Sequence, residues 1–217
     1  MKKVVFVALL CFWIIQAGYA QKSFGFKAGL NVSTADVDRG LPLGPQSRLG
    51  FHLGIWKEFS LSSKFFLRPE LVYSLKGYRF SDSSFAPGYV PTRRKETMSY
   101  HYLTLPILVG FRPKQKLGIY AGPEISLLGP LRSKSDGGNS NLRLFTNDYK
   151  NVDLGLTAGL YYKLTPRLNA DLRYTYGFST ILNWDILGAQ GEYEYTIKES
   201  HNKVLQFGLS YMLRRRE

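Results

Sequence analysis

The chain has 217 residues and a formal net charge of +13, from 29 Lys and Arg against 16 Asp and Glu; 44% of it is hydrophobic and 15% aromatic. So many aromatics exclude a disordered chain, and a single Cys excludes a disulfide scaffold or a Cys-based zinc site. A mean hydropathy of −0.18 speaks against a bundle of membrane helices, and the basic balance makes nucleic acid the first partner to test.

Residues 1–20 read as an address. Lys2 and Lys3 precede an apolar run from Val4 to Ile15, and Gly18-Tyr19-Ala20 puts small residues at −3 and −1 of a cleavage site before Gln21. The run is shorter than the roughly 20 residues of a helical span. Cys11 follows Leu10 inside it, which argues against a lipid anchor. A signal peptide at 1–20 and one domain at 21–217 are expected, with a net charge of +11 after cleavage. Export removes the nucleic-acid reading, and no basic helix or zinc-finger spacing restores it.

From Lys22 onward, apolar residues recur at every second position. The runs are Phe24–Val32, Leu49–Ile55, Phe65–Leu75, Leu103–Phe111, Leu117–Leu127, Val152–Tyr162, Leu168–Phe178 and Leu205–Leu213. Eight such runs with period two predict eight amphipathic strands. A repeat accompanies them: Gly25-Phe-Lys-Ala-Gly29, Gly50-Phe-His-Leu-Gly54, Gly118-Ile-Tyr-Ala-Gly122 and Gly155-Leu-Thr-Ala-Gly159. Alternation puts these glycines on the polar face, together with Lys27, His52, Tyr120 and Thr157. Glycine weakens a strand unless space is tight or the chain must bend, and a narrow barrel supplies both reasons.

The connections alternate in length. Short turns are expected around Ser60–Ser63, Pro113–Gln115 and Thr165–Arg167; long loops around Thr34–Ser47, Arg79–Met98, Gly129–Tyr149 and Ile181–Ser200. Short turns on one rim and long loops on the other is the layout of an outer-membrane barrel. A soluble eight-stranded binder would carry the apolar face inside. The glycine-rich polar face, its charges, and aromatics near strand ends (Phe24, Phe59, Phe65, Phe111, Tyr162, Tyr211) favour the inverted, membrane arrangement.

The stretches "FGFKAGLNVS", "LRPELVYSLKG", "YHYLTLPILVGF", "GIYAGPEISLL", "DLGLTAGLYYKL", "LNADLRYTYGFSTI" and "QFGLSYML" resemble the outer membrane protein β-barrel family, often labelled porin family or PorT-like. The resemblance implies an all-β fold: an eight-stranded antiparallel up-and-down transmembrane β-barrel of the small OmpA/OmpX type, in the outer membrane of a Gram-negative cell. It implies no particular activity. Barrels of this kind usually end on an aromatic residue, whereas this chain runs past Tyr211-Met212-Leu213 into Arg214-Arg215-Arg216-Glu217.

Candidate sites follow from the barrel. Arg68, Glu70, Glu124, Asp153, Asp171 and Arg173 fall on the polar face and are expected to form a buried network, because charges inside a small barrel must be paired or hydrated. A solute path is the alternative. His52, His101 and His201 lack ligand spacing, so no metal or cofactor is expected. His101 and His201 lie near the loop rim, with Ser99, Asp185 and Ser200 as candidate neighbours there, but nothing fixes a catalytic geometry and no enzyme is expected. The loops hold Phe85, Tyr89, Arg93, Arg94, Lys95, Arg132, Lys134, Arg143, Phe145 and Tyr149, suited to contacts with lipopolysaccharide or a surface partner.

The basic excess concentrates on the short-turn rim. Lys22, Lys57, Lys64, Arg112, Lys114, Lys116, Lys163, Arg167 and Arg214 to Arg216 stand there against Glu58 and Glu217. Lys114, Lys116, Arg167, Arg214, Arg215 and Arg216 form the core of this ring, which suits anionic headgroups or a periplasmic partner. The expected function is a monomeric outer-membrane barrel with a mostly filled lumen and a structural, adhesion or interaction role. A narrow porin-like channel, or an accessory of a secretion system, is the alternative.

Overall fold

The computed structural model describes residues 22–37, 45–84, 92–135, 152–187 and 193–215; the expected signal peptide lies outside them. The strands are β1 (Lys22–Val37), β2 (Gln46–Ser60), β3 (Phe65–Ser84), β4 (Thr92–Lys114), β5 (Leu117–Ser135), β6 (Val152–Lys163), β7 (Leu168–Gly177), β8 (Thr180–Leu187) and β9 (Tyr193–Arg215). Each pairs antiparallel with its neighbour, and β9 pairs back with β1 from Ser23↔Arg215 to Val37↔Glu199, closing the barrel.

Eight staves result, because β7 and β8 together make the seventh. β7 pairs with β9 between Tyr176↔Lys203 and Leu168↔Tyr211, and β8 with the remainder of β9, from Thr180↔Ser200 to Leu187↔Tyr193. The break at Phe178-Ser179 is held locally. The Phe178 amide donates to the Leu154 carbonyl at 2.7 Å, and Ser179 Oγ accepts from the Leu154 amide at 3.0 Å. On β9 the register steps beside His201, whose φ of 67° is left-handed. Such a bulge bends a strand without opening the barrel.

The ladders run farther than the apolar periodicity indicated. β3 and β4 stay paired through Ser84↔Thr92, β4 and β5 through Glu96↔Ser135, and β8 with β9 through Leu187↔Tyr193. Arg79–Met98, Gly129–Ser135 and Ile181–Ser200 are therefore largely strand, where the sequence suggested loop; Arg93, Arg94, Lys95, Arg132 and Lys134 sit in paired strand. Period-two hydrophobicity reports which face meets lipid, not whether backbones pair. Past the membrane the outward face turns polar, at Arg79, Thr97 and Ser99, and the signal fades while the hydrogen bonds continue. Phe85, Tyr89, Arg143, Phe145 and Tyr149 lie outside the described residues.

All eight apolar runs face outward. Leu30, Leu49, Leu53, Val109, Ile125, Leu154, Leu172 and Leu209 are exposed, at 59% and 66% for Leu30 and Leu49. Soluble monomers rarely carry so continuous an apolar skin. Of the six terminal aromatics, Phe24, Phe65, Tyr162 and Tyr211 are exposed, and Phe111 pairs in register with Phe65, ring centroids 5.1 Å apart. Phe59 departs from the expectation: it is 9% exposed, with Lys57 Nζ 5.1 Å over its ring. The turns at 61–64 and 164–167 are fixed alike. Ser62 Oγ accepts from the Phe65 amide and Thr165 Oγ1 from the Leu168 amide, both at 3.0 Å.

The lumen-facing glycines make room for rings. A Cβ on Gly110 would lie 1.9 Å from Phe66 Cζ, and one on Gly118 2.3 Å from Tyr161 Cε1. Phe66↔Gly110 and Gly118↔Tyr161 are register partners, so each ring covers its neighbour's bare backbone. Gly118→Val is expected to cost about 1–3 kcal/mol through overpacking. A urea titration in lipid vesicles, read as heat-modifiable gel mobility, checks this, with the outward Ala121→Val as a nearly neutral control.

Candidate functional site

With apolar residues committed to the outside, the inward positions hold the polar side chains. Burying charge away from water is costly unless each charge finds a partner. Arg68, Glu70, Glu124, Asp153, Asp171 and Arg173 are all buried inside the barrel. The structure adds Lys27, Lys76, Glu58 and the half-buried Arg112, giving five acids against five cations.

The central layer spans the lumen. Arg173 of β7 donates through Nη1 and Nη2 to both oxygens of Glu70 on β3, each at 3.0 Å. β3 and β7 are opposite staves, so this bidentate pair lies across the barrel. Lys27 of β1 adds a 3.1 Å bond to Glu70 Oε2 and faces Asp171 at 3.8 Å. Arg173 Nε faces Asp171 Oδ1 at 3.4 Å, and the Tyr120 hydroxyl of β5 donates to Asp171 Oδ2 at 2.7 Å. Every odd stave contributes a group. Charge-assisted, two-point bonds are the strongest available in so confined a space.

A second layer lies toward the loop end. Lys76 Nζ donates to Glu124 Oε1 at 2.9 Å, and Thr157 Oγ1 to Glu124 Oε2 at 2.8 Å. Asp153 sits apart from the ion pairs: Asn202 Nδ2 donates to its Oδ2 at 3.1 Å. A third layer closes the turn end. Glu58 accepts from Arg68 Nε at 3.0 Å and Nη2 at 2.6 Å, and also from Arg112 Nη2. The Arg68 guanidinium lies 5.0 Å from the Trp56 ring, 5.1 Å from Phe66 and 4.7 Å from Tyr161, a cation held against aromatic faces.

Two parts of the expected rim are corrected here. Arg112 and Glu58 turn inward and neutralise one another, instead of adding charge to the ring. Lys114, Lys116 and Arg167 are exposed at the turns. Arg214 and Arg215 pair through their backbone with Phe24 and Ser23, and Arg216 lies outside the described residues.

The histidines do not converge. His52 is buried, its Nδ1 2.8 Å from Asn31 Oδ1. His101 shares a hydrogen bond with the Tyr73 hydroxyl. His201 stacks on Tyr176 at 5.5 Å, its Nδ1 3.1 Å from the Gly177 carbonyl. The side chains of Asp185 and Ser200 lie outside the description. Lys27, Glu58 and Lys76 were missed as network members although period two places them there: Lys27 is the midpoint of a glycine repeat, and Lys76 continues the row from Arg68, Glu70 and Ser74.

A closed barrel with an apolar skin and a neutralised, charged interior is a membrane barrel. Residues 19–183 match the family described as outer membrane protein beta-barrel domain, and the chain belongs to that family, which sets it in the outer membrane. The last stave, β9, completes the barrel beyond the matched residues. Among solved structures the chain is similar to Neisserial surface protein A, at 18% identity over 88% of this chain and 97% of that one, TM-score 0.50. It is also similar to a major outer membrane protein from Thermus thermophilus, at 14% identity over 88% and 99%, TM-score 0.46. A third is Ail, the attachment invasion locus protein of Yersinia pestis, in complex with sucrose octasulfate, at 15% identity over 89% and 99%, TM-score 0.45. These likenesses concern the fold. No curated protein matches the sequence.

Removing one member of the central pair leaves its partner charged and buried. Arg173→Ala is expected to lower stability by about 3–5 kcal/mol. The apolar double replacement Arg173→Met with Glu70→Leu is expected to recover most of that loss. Urea midpoints of the two variants in the same vesicles check the order.

Proposed function

We propose that the protein is a monomeric outer-membrane barrel with a lumen closed to solutes, acting through its surfaces in a structural, adhesion or interaction role, without chemistry of its own. One observation carries this reading: the Glu70–Arg173 pair lies across the barrel, joined by Lys27 and the Tyr120–Asp171 bond, so side chains occupy the axis. Eight staves leave an interior that side chains just fill. Closure leaves no long edge within the membrane for a second copy to extend.

The short turns, with Lys114, Lys116 and Arg167, belong to the periplasmic side, where such barrels carry their short connections. The long hairpins β3–β4 and β8–β9 then stand at the cell surface. Lys114, Lys116 and Arg167, with the basic tail, suit anionic headgroups or a periplasmic partner. Lipid and lipopolysaccharide are the surrounding contacts.

Planar-bilayer recording tests the closed lumen. The wild type is expected to give no resolved single-channel steps, whereas the Glu70→Ala, Arg173→Ala double variant, if folded, is expected to give small ones. Steady ohmic channels from the wild type would support the narrow-channel reading instead.

A further inference from the structure

Three ladders of the barrel are interrupted inside the membrane, and each interruption holds a proline. Between β2 and β3 the register runs unbroken from Trp56↔Glu70 to Phe59↔Leu67, yet Lys57 and Glu58 do not pair with Pro69 and Arg68. Between β3 and β4 the pairs Pro69↔Ile107 and Val72↔Thr104 flank a gap that holds Glu70, Leu71, Leu105 and Pro106. Between β4 and β5 the pairs Pro106↔Glu124 and Val109↔Ala121 flank a gap that holds Ile107, Leu108, Gly122 and Pro123. The ladders β1–β2, β5–β6, β6–β7 and β7–β9 pair at every position between their first and last partners.

Proline has no N–H to donate and is normally confined to sheet edges or bulges. Here Pro69, Pro106 and Pro123 stand in interior strands, within the apolar runs Phe65–Leu75, Leu103–Phe111 and Leu117–Leu127. Lipid supplies no replacement donor at that depth. The unbroken register sets Pro69 opposite Lys57, Pro106 opposite Glu70 and Pro123 opposite Ile107, so the three gaps form one diagonal seam across β2–β5. Inward side chains cross the same seam. Arg68 and Glu58, which face one another in the first gap, join β3 to β2 through bonds of 3.0 and 2.6 Å. Arg112 ties β4 to the same carboxylate. Lys76 reaches over β4 from β3 to Glu124 on β5 at 2.9 Å, and Thr104 Oγ1 of β4 lies 3.0 Å from Ser126 Oγ of β5.

We propose that β2–β5 form a pliable panel of the barrel wall, held shut by the ion pairs Arg68–Glu58 and Lys76–Glu124 in place of the backbone hydrogen bonds that the prolines omit. β6, β7, β9 and β1 form the stiffer remainder. The inward charges thus have a second use beyond filling the lumen. When they are neutralised the wall yields on this side, and the prolines confine the motion to it.

Hydrogen–deuterium exchange mass spectrometry of the full protein, folded in lipid vesicles, tests this. In the wild type, the amides of 65–75 and 103–111 are expected to exchange about tenfold faster than those of 154–162 and 168–176. Pro69→Val with Pro123→Val, which returns two donors at lipid-facing positions, is expected to slow 65–75 and 103–111 about fivefold. Glu58→Gln with Glu124→Gln is expected to speed the same two segments about tenfold and to leave 154–162 and 168–176 within about twofold. Asp171→Asn, whose partners lie on β1, β5 and β7, is expected to show no such preference. Heat-modifiable migration reports folding, and Glu58→Gln alone, expected to speed 65–75 about threefold, stands in if the double variant does not fold. Equal exchange in the two halves of the wild type, no slowing when the donors return, equal acceleration of both halves by the glutamine pair, or selective acceleration of the panel by Asp171→Asn overturns the assignment.

Discussion

A hydrocarbon surround offers a strand no hydrogen-bond partner, so every backbone N–H and C=O of a spanning segment must find one within the protein. Closure of β9 onto β1 meets that demand, and much else follows from it. Once the sheet is closed, each strand has one face to lipid and one to a narrow interior. Apolar residues at Phe24–Val32 or Val152–Tyr162 must take the outside, and the polar remainder has nowhere else to go. The break at Phe178-Ser179 respects the same rule: the Leu154 amide that a regular strand would have bonded is taken up by the Ser179 hydroxyl.

The interior then becomes a problem of charge. Its five acids and five cations are arranged in layers, from Glu58 with Arg68 and Arg112 at the turn end to Lys76 with Glu124 toward the loops. The bond from Arg173 to Glu70 fixes opposite staves at a set separation, which constrains barrel shape as well as filling it. Glycine and ring cooperate in the same space: Tyr161 fits because Gly118 has no side chain, and its hydroxyl accepts from Arg112 Nε at 3.0 Å. Packing and electrostatics are therefore inseparable in the plug, and an isolated substitution there disturbs both.

How much of this the sequence carries depends on what writes a period of two. Lipid on one side does, and all eight outward runs, the inward glycines and the six inward charges were legible. The extensions past Arg79, Gly129 and Ile181 were not, because beyond the bilayer neither face need be apolar. Long side chains defeat the pattern in another way. Lys57 covers Phe59, a move that rotamers decide and alternation cannot. Pairing across the lumen was equally hidden, since Glu70 and Arg173 are brought together by closure and not by any spacing along the chain. Membership of the family explains the fold but leaves the role to surfaces.

The central claim is the inversion: apolar skin to lipid, charged plug inside. The sequence beyond residue 20 holds no Cys, so single spin labels can be placed along β6 in reconstituted bilayers. Collision with oxygen, which concentrates in hydrocarbon, is predicted to be high at Leu154, Leu156, Ala158 and Leu160 and low at Asp153, Thr157 and Tyr161. High collision at Asp153, Thr157 and Tyr161 instead, or no alternation along the strand, would contradict the account.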